Sequence, residues 1–250
     1  MDPQKPITFY DVGSGPASKP FAPNPWKTRY ALNFSGVPHT TTFVPLPDIP
    51  ATRASLNLPP NRKHPDGSDF PTLPIIHDHA TDTLVGDSFD IALHLHAHYP
   101  TTPPLFPPHT VALHRAFNAH VDALFSAHGA PLAGYYLPFD PATAEHSKKE
   151  MLARYGLSSW EALKIEGEAR AEKMRGFEEA LGGLAKWFVK GEEGPFLEGK
   201  VPMYADLVMG GWLMWMNLLL PKEDWEALRG WNGGVWGRLV DALEKWTSVS

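Results

Sequence analysis

The sequence predicts two domains of different class: an α/β domain of short elements, then an all-α helical-bundle domain. Three observations carry this reading. Most of the 26 prolines lie before Pro108 and break the first part into short pieces, whereas the second part shows long helical periodicity. A proline-rich run from Tyr99 to Pro108 separates the two textures and reads as a linker. The strand and helix signals before it follow the order β-α-β-(loop)-β-β-α. The expected domains are 5–99 and 108–250.

In chain order, Ile7-Thr8-Phe9-Tyr10-Asp11-Val12 is rich in β-formers and reads as a strand. A Gly/Ser/Pro loop follows, from Gly13 to Pro23. The stretch Asn24 to Phe34 reads as a helix, with Asn24 as N-cap, Pro25 at the first helical position and Gly36 as terminator. His39 to Val44 is the second strand. Asp48 to Phe70 carries no clear pattern. Thr72 to Asp78 reads as the third strand and Thr83 to Val85 as the fourth. Asp87 to Tyr99 reads as a helix opened by an acidic or serine cap.

Helices dominate the rest. His109 to His128 places Val111, Phe117, Val121, Leu124 and Phe125 at apolar helical positions. Thr143–Tyr155 and Ser159–Lys190 follow. An apolar helix starts at Met203, and Glu223–Leu228 and Val235–Trp246 close the chain.

Composition removes several function classes. The net charge of −6 gives no electrostatic reason to expect nucleic acid or an acidic membrane as partner. There is no cysteine, so a thiolate nucleophile or thiolate metal site of the protein's own is excluded, and any thiol in the chemistry comes with a ligand. The N-terminus lacks a basic start followed by an apolar stretch. The longest apolar run, Leu207 to Leu220, falls short of the roughly 20 residues that span a bilayer. A cytoplasmic protein is expected.

Four local features bear a resemblance to a known family. Thr72-Leu73-Pro74-Ile75-Ile76 looks like a strand entered through a cis-proline. Asp87-Ser88 looks like the acidic-serine pair that opens a third helix. The spacing between the two matches, and Pro202-Met203-Tyr204-Ala205-Asp206-Leu207 resembles a buried helix start. Together they resemble the glutathione transferases, a thioredoxin-like domain in front of a helical bundle, over nearly the whole chain. Tyr10-Asp11, Ala22 to Gly36, Pro47-Asp48-Ile49 and Leu73 to Asp78 look like the fungal etherase-related members, relatives of the bacterial β-etherases. In that group a Ser-Pro-Asn-x-Trp-Lys pattern opens the first helix, and its serine supports the glutathione thiolate. Here Ala22 stands at the serine position.

The resemblance implies glutathione as co-substrate. Leu73 and Pro74 would present backbone to its cysteinyl unit. Asp87 and Ser88, at a helix N-terminus suited to a carboxylate, would hold its γ-glutamyl end. Its thiol starts near the ~8.5 reference for cysteine and needs donors to ionise. With Ala22 lacking a hydroxyl, Asn24 is the leading catalytic donor and Ser18 the second. The glycine carboxylate needs a cation, for which Arg53 is taken, with Arg62, Lys63 and His64 in the same segment. Phe21, Tyr135 and Tyr136 are expected in the wall of a second-substrate pocket, with Trp26 and Phe139 divided between wall and core. A homodimer is expected. So is transfer of glutathione to small aromatic electrophiles, by conjugation or aryl-ether cleavage. The rival reading is a non-catalytic carrier of glutathione or phenolic compounds, which the missing serine favours.

Twelve histidines do not build a metal site. His94 and His98 share a helix face at i,i+4, but the residues between them include no glutamate base. No metal is expected. Trp212, Trp215 and Met216 follow helical spacing and read as core.

Overall fold

The computed structural model describes residues 5–14, 19–64, 67–188 and 194–250. Strand β1 (Ile7–Ser14) lies in the middle of the sheet. It pairs in parallel with β3 (His39–Val44), Ile7 opposite His39 and Val12 opposite Val44. On its other side it pairs antiparallel with β6 (Ile75–Asp78), Phe9 opposite Ile76. Beyond β6 runs β7 (Thr83–Val85), antiparallel. The short β2 (Lys19–Pro20) folds back on the end of β1. Burial alternates along the first residues of β1, with Ile7 and Phe9 inward, as period-two geometry requires.

Helix α1 (Pro23–Phe34) crosses between β1 and β3. It is buried on every side from Trp26 to Leu32, because the sheet covers one face and the later helices the other. Two of its inward residues are charged, and each has a partner. Arg29 Nη2 donates to Asp11 Oδ2 at 2.7 Å in a fully buried pair, and Lys27 Nζ reaches Asp122 Oδ1 at 2.5 Å. A buried ion without a partner would cost several kcal/mol, about 3–5.

The segment without a sequence signal forms a 3₁₀ turn at Leu46–Asp48, helix α2 (Ile49–Ser55) and a small hairpin of β4 (Arg62–Lys63) with β5 (Asp69–Phe70). The third strand is shorter than expected. It starts at Ile75, leaving Thr72, Leu73 and Pro74 ahead of it, and the Leu73–Pro74 bond is cis. Helix α3 (Ser88–His98) follows, capped by Asp87, whose carboxylate accepts from the Phe89 N–H at 2.9 Å.

The helical part begins with α4 (Val111–Leu124), which runs through a π turn at Phe125–Gly129 into the short α5 (Ala130–Ala133). Then come α6 (Ala144–Tyr155), α7 (Gly167–Ala185), α8 (Tyr204–Leu219) and α9 (Lys222–Leu243). The helix expected from Ser159 is interrupted. A 3₁₀ turn at Trp160–Leu163 and an extended stretch precede α7. Helix α9 breaks at Trp231–Gly234, where Asn232, Gly233 and Gly234 take left-handed φ, so the two closing helices of the sequence reading are distinct.

The central apolar helix α8 packs on α1 through Gly210 and Gly211. A Cβ on Gly211 would lie 2.7 Å from the Pro23 carbonyl oxygen. Asp206 anchors its start, accepting from the Met203 N–H at 2.9 Å and the Leu197 N–H at 2.7 Å. The C-terminal tail returns to the first part, where the Thr41 N–H donates to the Ser250 carbonyl. Among the described residues no helix is long and apolar enough to cross a membrane.

Candidate functional site

A cleft of about 320 Å³ opens where the N-terminus of α1 meets the segment ahead of β6 and the inner helices. Its floor is chain that turns sharply. Ala22 is the N-cap of α1 in extended backbone, and its carbonyl accepts from the Trp26 N–H at 3.1 Å. The helix therefore starts two residues earlier than its sequence suggested. Asn24 is its second residue and caps nothing. A helix start ordinarily offers four free N–H groups. Here Pro23 and Pro25 supply none, so within the first three helical residues only Asn24 has a backbone N–H. The Asn24 side chain makes no hydrogen bond with the described residues, and its Oδ1 is buried without a partner. Among the expected groups, Phe21, Asn24 and Leu73 all line this cleft. Ser18 lies outside the described residues.

The rest of the wall differs from expectation. Tyr135 and Tyr136 are not part of it. They sit on a 3₁₀ turn with other partners: the Tyr135 carbonyl accepts from Trp160 Nε1 at 3.2 Å, and the Tyr136 ring lies under the Arg170 guanidinium at 5.6 Å. Leu137 and Phe139, just downstream, take their place, joined by Met151 and Tyr155 of α6. Trp26 is core, tilted against Tyr30 at 5.5 Å. Trp212 and Trp215 are buried as their helical spacing implied, yet both also line the cleft. Trp212 is held there by its Nε1–H, which donates to Asp122 Oδ1 at 2.7 Å beside Lys27.

A second, polar cavity of about 550 Å³ adjoins the turn before α3, lined by Gly86, Asp87 and Asp90 and by Asn118 and Asp122 of α4. Asp87 Oδ1 is engaged by the Phe89 N–H. Ser88 is buried, lines neither cavity, and its carbonyl accepts from the Tyr204 hydroxyl at 3.1 Å.

Arg53 also makes contacts that the sequence did not suggest. Its side chain is buried, and the guanidinium is spent on carbonyl oxygens: Pro59 from Nε (3.0 Å) and Nη2 (2.7 Å), Thr72 from Nη1 (2.8 Å) and Gly86 from Nη1 (3.4 Å). Four of its five N–H donors are so engaged, and the side chain also lines the polar cavity beside Asp87. It ties the residue before Leu73 to the residue before Asp87. Asn61 reinforces the tie, accepting from the Thr72 N–H and donating to the Gly86 carbonyl. Neither role is visible in sequence, because both residues fall in the stretch that carries no periodicity. Among the described residues no group of three or more His, Asp or Glu side chains is arranged to hold a metal ion.

Comparison with known proteins agrees with this architecture. Residues 21–98 match the model of the glutathione S-transferase N-terminal domain, and residues 112–246 that of the C-terminal domain. The glutathione S-transferase-like protein ustS of Aspergillus flavus is 29% identical over 97% of this chain and 91% of its own length. A glutathione S-transferase of Ceriporiopsis subvermispora, solved in complex with glutathione, is 32% identical, covers 98% of this chain and 99% of its own, and superposes with a TM-score of 0.89. Glutathione transferase GSTFuA3 of Phanerochaete chrysosporium is 29% identical, covers 99% and 100%, and has a TM-score of 0.84. With both halves of the fold matched in order and a relative above 30% identity along nearly its whole length, this chain belongs to the glutathione S-transferase family.

Proposed function

We propose that the protein binds glutathione along Leu73, with the γ-glutamyl end toward Asp87 and Ser88 and the sulfur toward Ala22 and Asn24. We further propose that it transfers the thiolate to small aromatic electrophiles. The observation that carries this reading is that Asn24 and Leu73 share one apolar, aromatic-walled cleft, while Arg53 ties the Leu73 segment to the Asp87 turn. Residues 5–99 form the glutathione-binding domain on this reading and 108–250 the helical one. The relative of C. subvermispora, solved with glutathione, supports the same ligand.

The chemistry asks little of the protein beyond ionising sulfur and holding the electrophile. The Asn24 N–H and its side-chain amide stabilise the thiolate, and the thiol proton leaves to water. On an activated aryl halide a sulfur–carbon bond forms, and halide departs with the bonding pair. On an aryl ether the leaving group is phenolate, which takes a proton from water. Phe21, Phe139, Trp212 and Trp215 supply the flat apolar surface for the aromatic partner. A cytoplasmic homodimer is proposed with it, checked by light scattering in solution.

The carrier reading has one specific observation in its favour: the first turn of α1 lacks a hydroxyl and two of its N–H groups. Two measurements separate the readings. Retention on immobilised glutathione with turnover of chlorodinitrobenzene supports transfer. Retention with dye or polyphenol binding and no turnover supports the carrier. No retention rejects transfer and any carrier of glutathione, and dye or polyphenol binding then decides whether a carrier of phenolic compounds remains.

A further inference from the structure

We propose that the indole N–H of Trp215 holds the carbonyl oxygen of the second substrate, an uncharged aryl enone to which glutathione adds. The assignment rests on the glutathione transfer proposed above and names its electrophile. None of the residues lining the cleft is charged, and few are polar. Ser126 and Tyr155 are exposed to water. The Thr72 hydroxyl donates to Asn61 Oδ1 at 3.0 Å, and the Trp212 Nε1–H to Asp122 Oδ1 at 2.7 Å. With Asn24 assigned to the sulfur, Trp215 is the donor that has no task.

Trp215 is only 5% exposed, yet its Nε1–H finds no acceptor among the described residues. An indole nitrogen donates and never accepts, and when buried it usually has a partner. The Trp26 nitrogen is unpaired too, but it is sealed from solvent and no ligand can reach it. The Trp215 nitrogen is not sealed, and the cleft is the cavity that its side chain lines. Helix α8 puts it at the right end. Gly211, one turn earlier on the same face, meets the Pro23 carbonyl, so Trp215 lies beside the start of α1, where the sulfur is proposed to sit. The Trp212 ring packs edge-on against it at 5.5 Å and fixes its plane.

Addition to an enone uses such a donor. The thiolate sulfur attacks the β-carbon, and a sulfur–carbon bond forms. The alkene pair moves toward the carbonyl, and negative charge gathers on its oxygen. No cation lines the cleft, so a preorganised N–H in its wall is what meets that charge. The α-carbon then takes from water the proton that the thiol gave up, so no group leaves and no oxidant enters. A simple benzyl or aryl halide would leave the indole N–H facing no acceptor. A carboxylate on the electrophile would lose its hydration and gain no cation, which is why the ketone is uncharged.

Benzylideneacetone and benzyl chloride are the probes, the second of which offers no oxygen. Trp215→Phe keeps an aromatic wall and removes the donor. It should lower kcat/KM for the ketone about tenfold more than for the chloride. Trp212→Phe removes as much ring, but its N–H already bonds Asp122, so both rates should fall in similar proportion. Equal losses on the two substrates in Trp215→Phe would overturn the proposal. A measurement on the wild type decides the contact even if that variant does not fold. The carbonyl stretch of benzylacetone, the unreactive saturated ketone, is read by isotope-edited infrared difference with protein and glutathione in excess. It should lie well below its value in hexane. A bound ketone at the hexane frequency, or no bound ketone at all, would also overturn the proposal. Turnover of neither electrophile while the stretch is lowered rejects glutathione transfer, and the enone step with it, but keeps the Trp215 contact.

Discussion

The guanidinium of Arg53 donates to the Thr72 carbonyl at 2.8 Å, which fastens helix α2 to the residue just ahead of Leu73. The same nitrogen reaches the Gly86 carbonyl, one residue before Asp87. One side chain therefore sets the spacing of the two places proposed to hold the tripeptide. Arg53→Met leaves the Pro59 and Thr72 carbonyls without their donor, while Gly86 keeps Asn61, at a cost of about 1–3 kcal/mol for each unsatisfied buried acceptor. The expected result is a fall in melting temperature together with at least a tenfold loss of glutathione affinity by calorimetry. Arg53→Lys should recover little of either, since an ammonium cannot span the fork of acceptors. Unchanged affinity in a folded Arg53→Met variant would deny Arg53 this positioning role.

Ala22→Ser should improve the enzyme. A serine at the N-cap returns a hydroxyl to the floor of the cleft and caps α1, for about 1 kcal/mol of added stability. As a donor to sulfur it should lower the thiol pKa of bound glutathione and raise turnover of chlorodinitrobenzene about tenfold. Asn24→Ala should act in the opposite direction. Thiolate absorbance in the ultraviolet, followed against pH, reads the first effect directly. A serine variant with unchanged titration and rate would mean the sulfur does not sit at this turn.

The Lys27–Asp122 pair joins α1 to α4 and positions Trp212 in the cleft wall. Burial lowers the Lys27 pKa, with Asp122 opposing the shift, so the ammonium depends on its partner. Lys27→Met alone should cost about 3–5 kcal/mol. Asp122→Leu in the same background should recover part of that loss, less the Trp212 hydrogen bond. Urea unfolding of the double-mutant cycle measures the coupling, and strict additivity would contradict it.

Acid stability should depend on Asp78. Burial alone would raise its pKa, but hydrogen bonds from His94 Nε2 (2.7 Å), the Tyr99 hydroxyl (2.9 Å) and the Ala80 N–H (2.9 Å) outweigh it and hold the carboxyl at about 2. The folded-state value lies below the unfolded reference of ~3.9. The carboxylate thus stabilises the fold above pH ~4, and that contribution is lost as pH falls through about 2. Asp78→Asn should flatten this limb of the stability curve. An identical acid slope in the variant would rule Asp78 out as its source.

Gly211→Ala should destabilise, against the usual gain of about 1 kcal/mol for this change inside a helix. The new methyl would lie 2.7 Å from the Pro23 oxygen and 2.8 Å from Lys27 Cγ. Overpacking of this kind costs about 1–3 kcal/mol. Because Pro23 opens α1, glutathione affinity should fall with stability. A variant that melts higher than wild type would show that α1 and α8 have room to separate.

What the sequence determined by itself was local. The β-forming run Ile7 to Val12, the Asp87 cap and the helical spacing of Trp212 and Trp215 each depend on residues a few positions apart, and the structure bears each of them out. The start of α1 was misplaced by two residues, because Asn24 is the better capping side chain while the backbone turns at Ala22. Tertiary structure alone decided which side chains share a surface. Tyr135 and Tyr136 stay outside the lining although their chemistry suited the wall, and Trp212 and Trp215 joined it although their spacing fitted a core. Arg53 proved to be a buried tie, because its acceptors, Pro59, Thr72 and Gly86, are brought to it by three different segments. Periodicity reports on which face of an element is buried. It carries no record of which distant segment will cover that face, and a binding cleft is made where such segments meet.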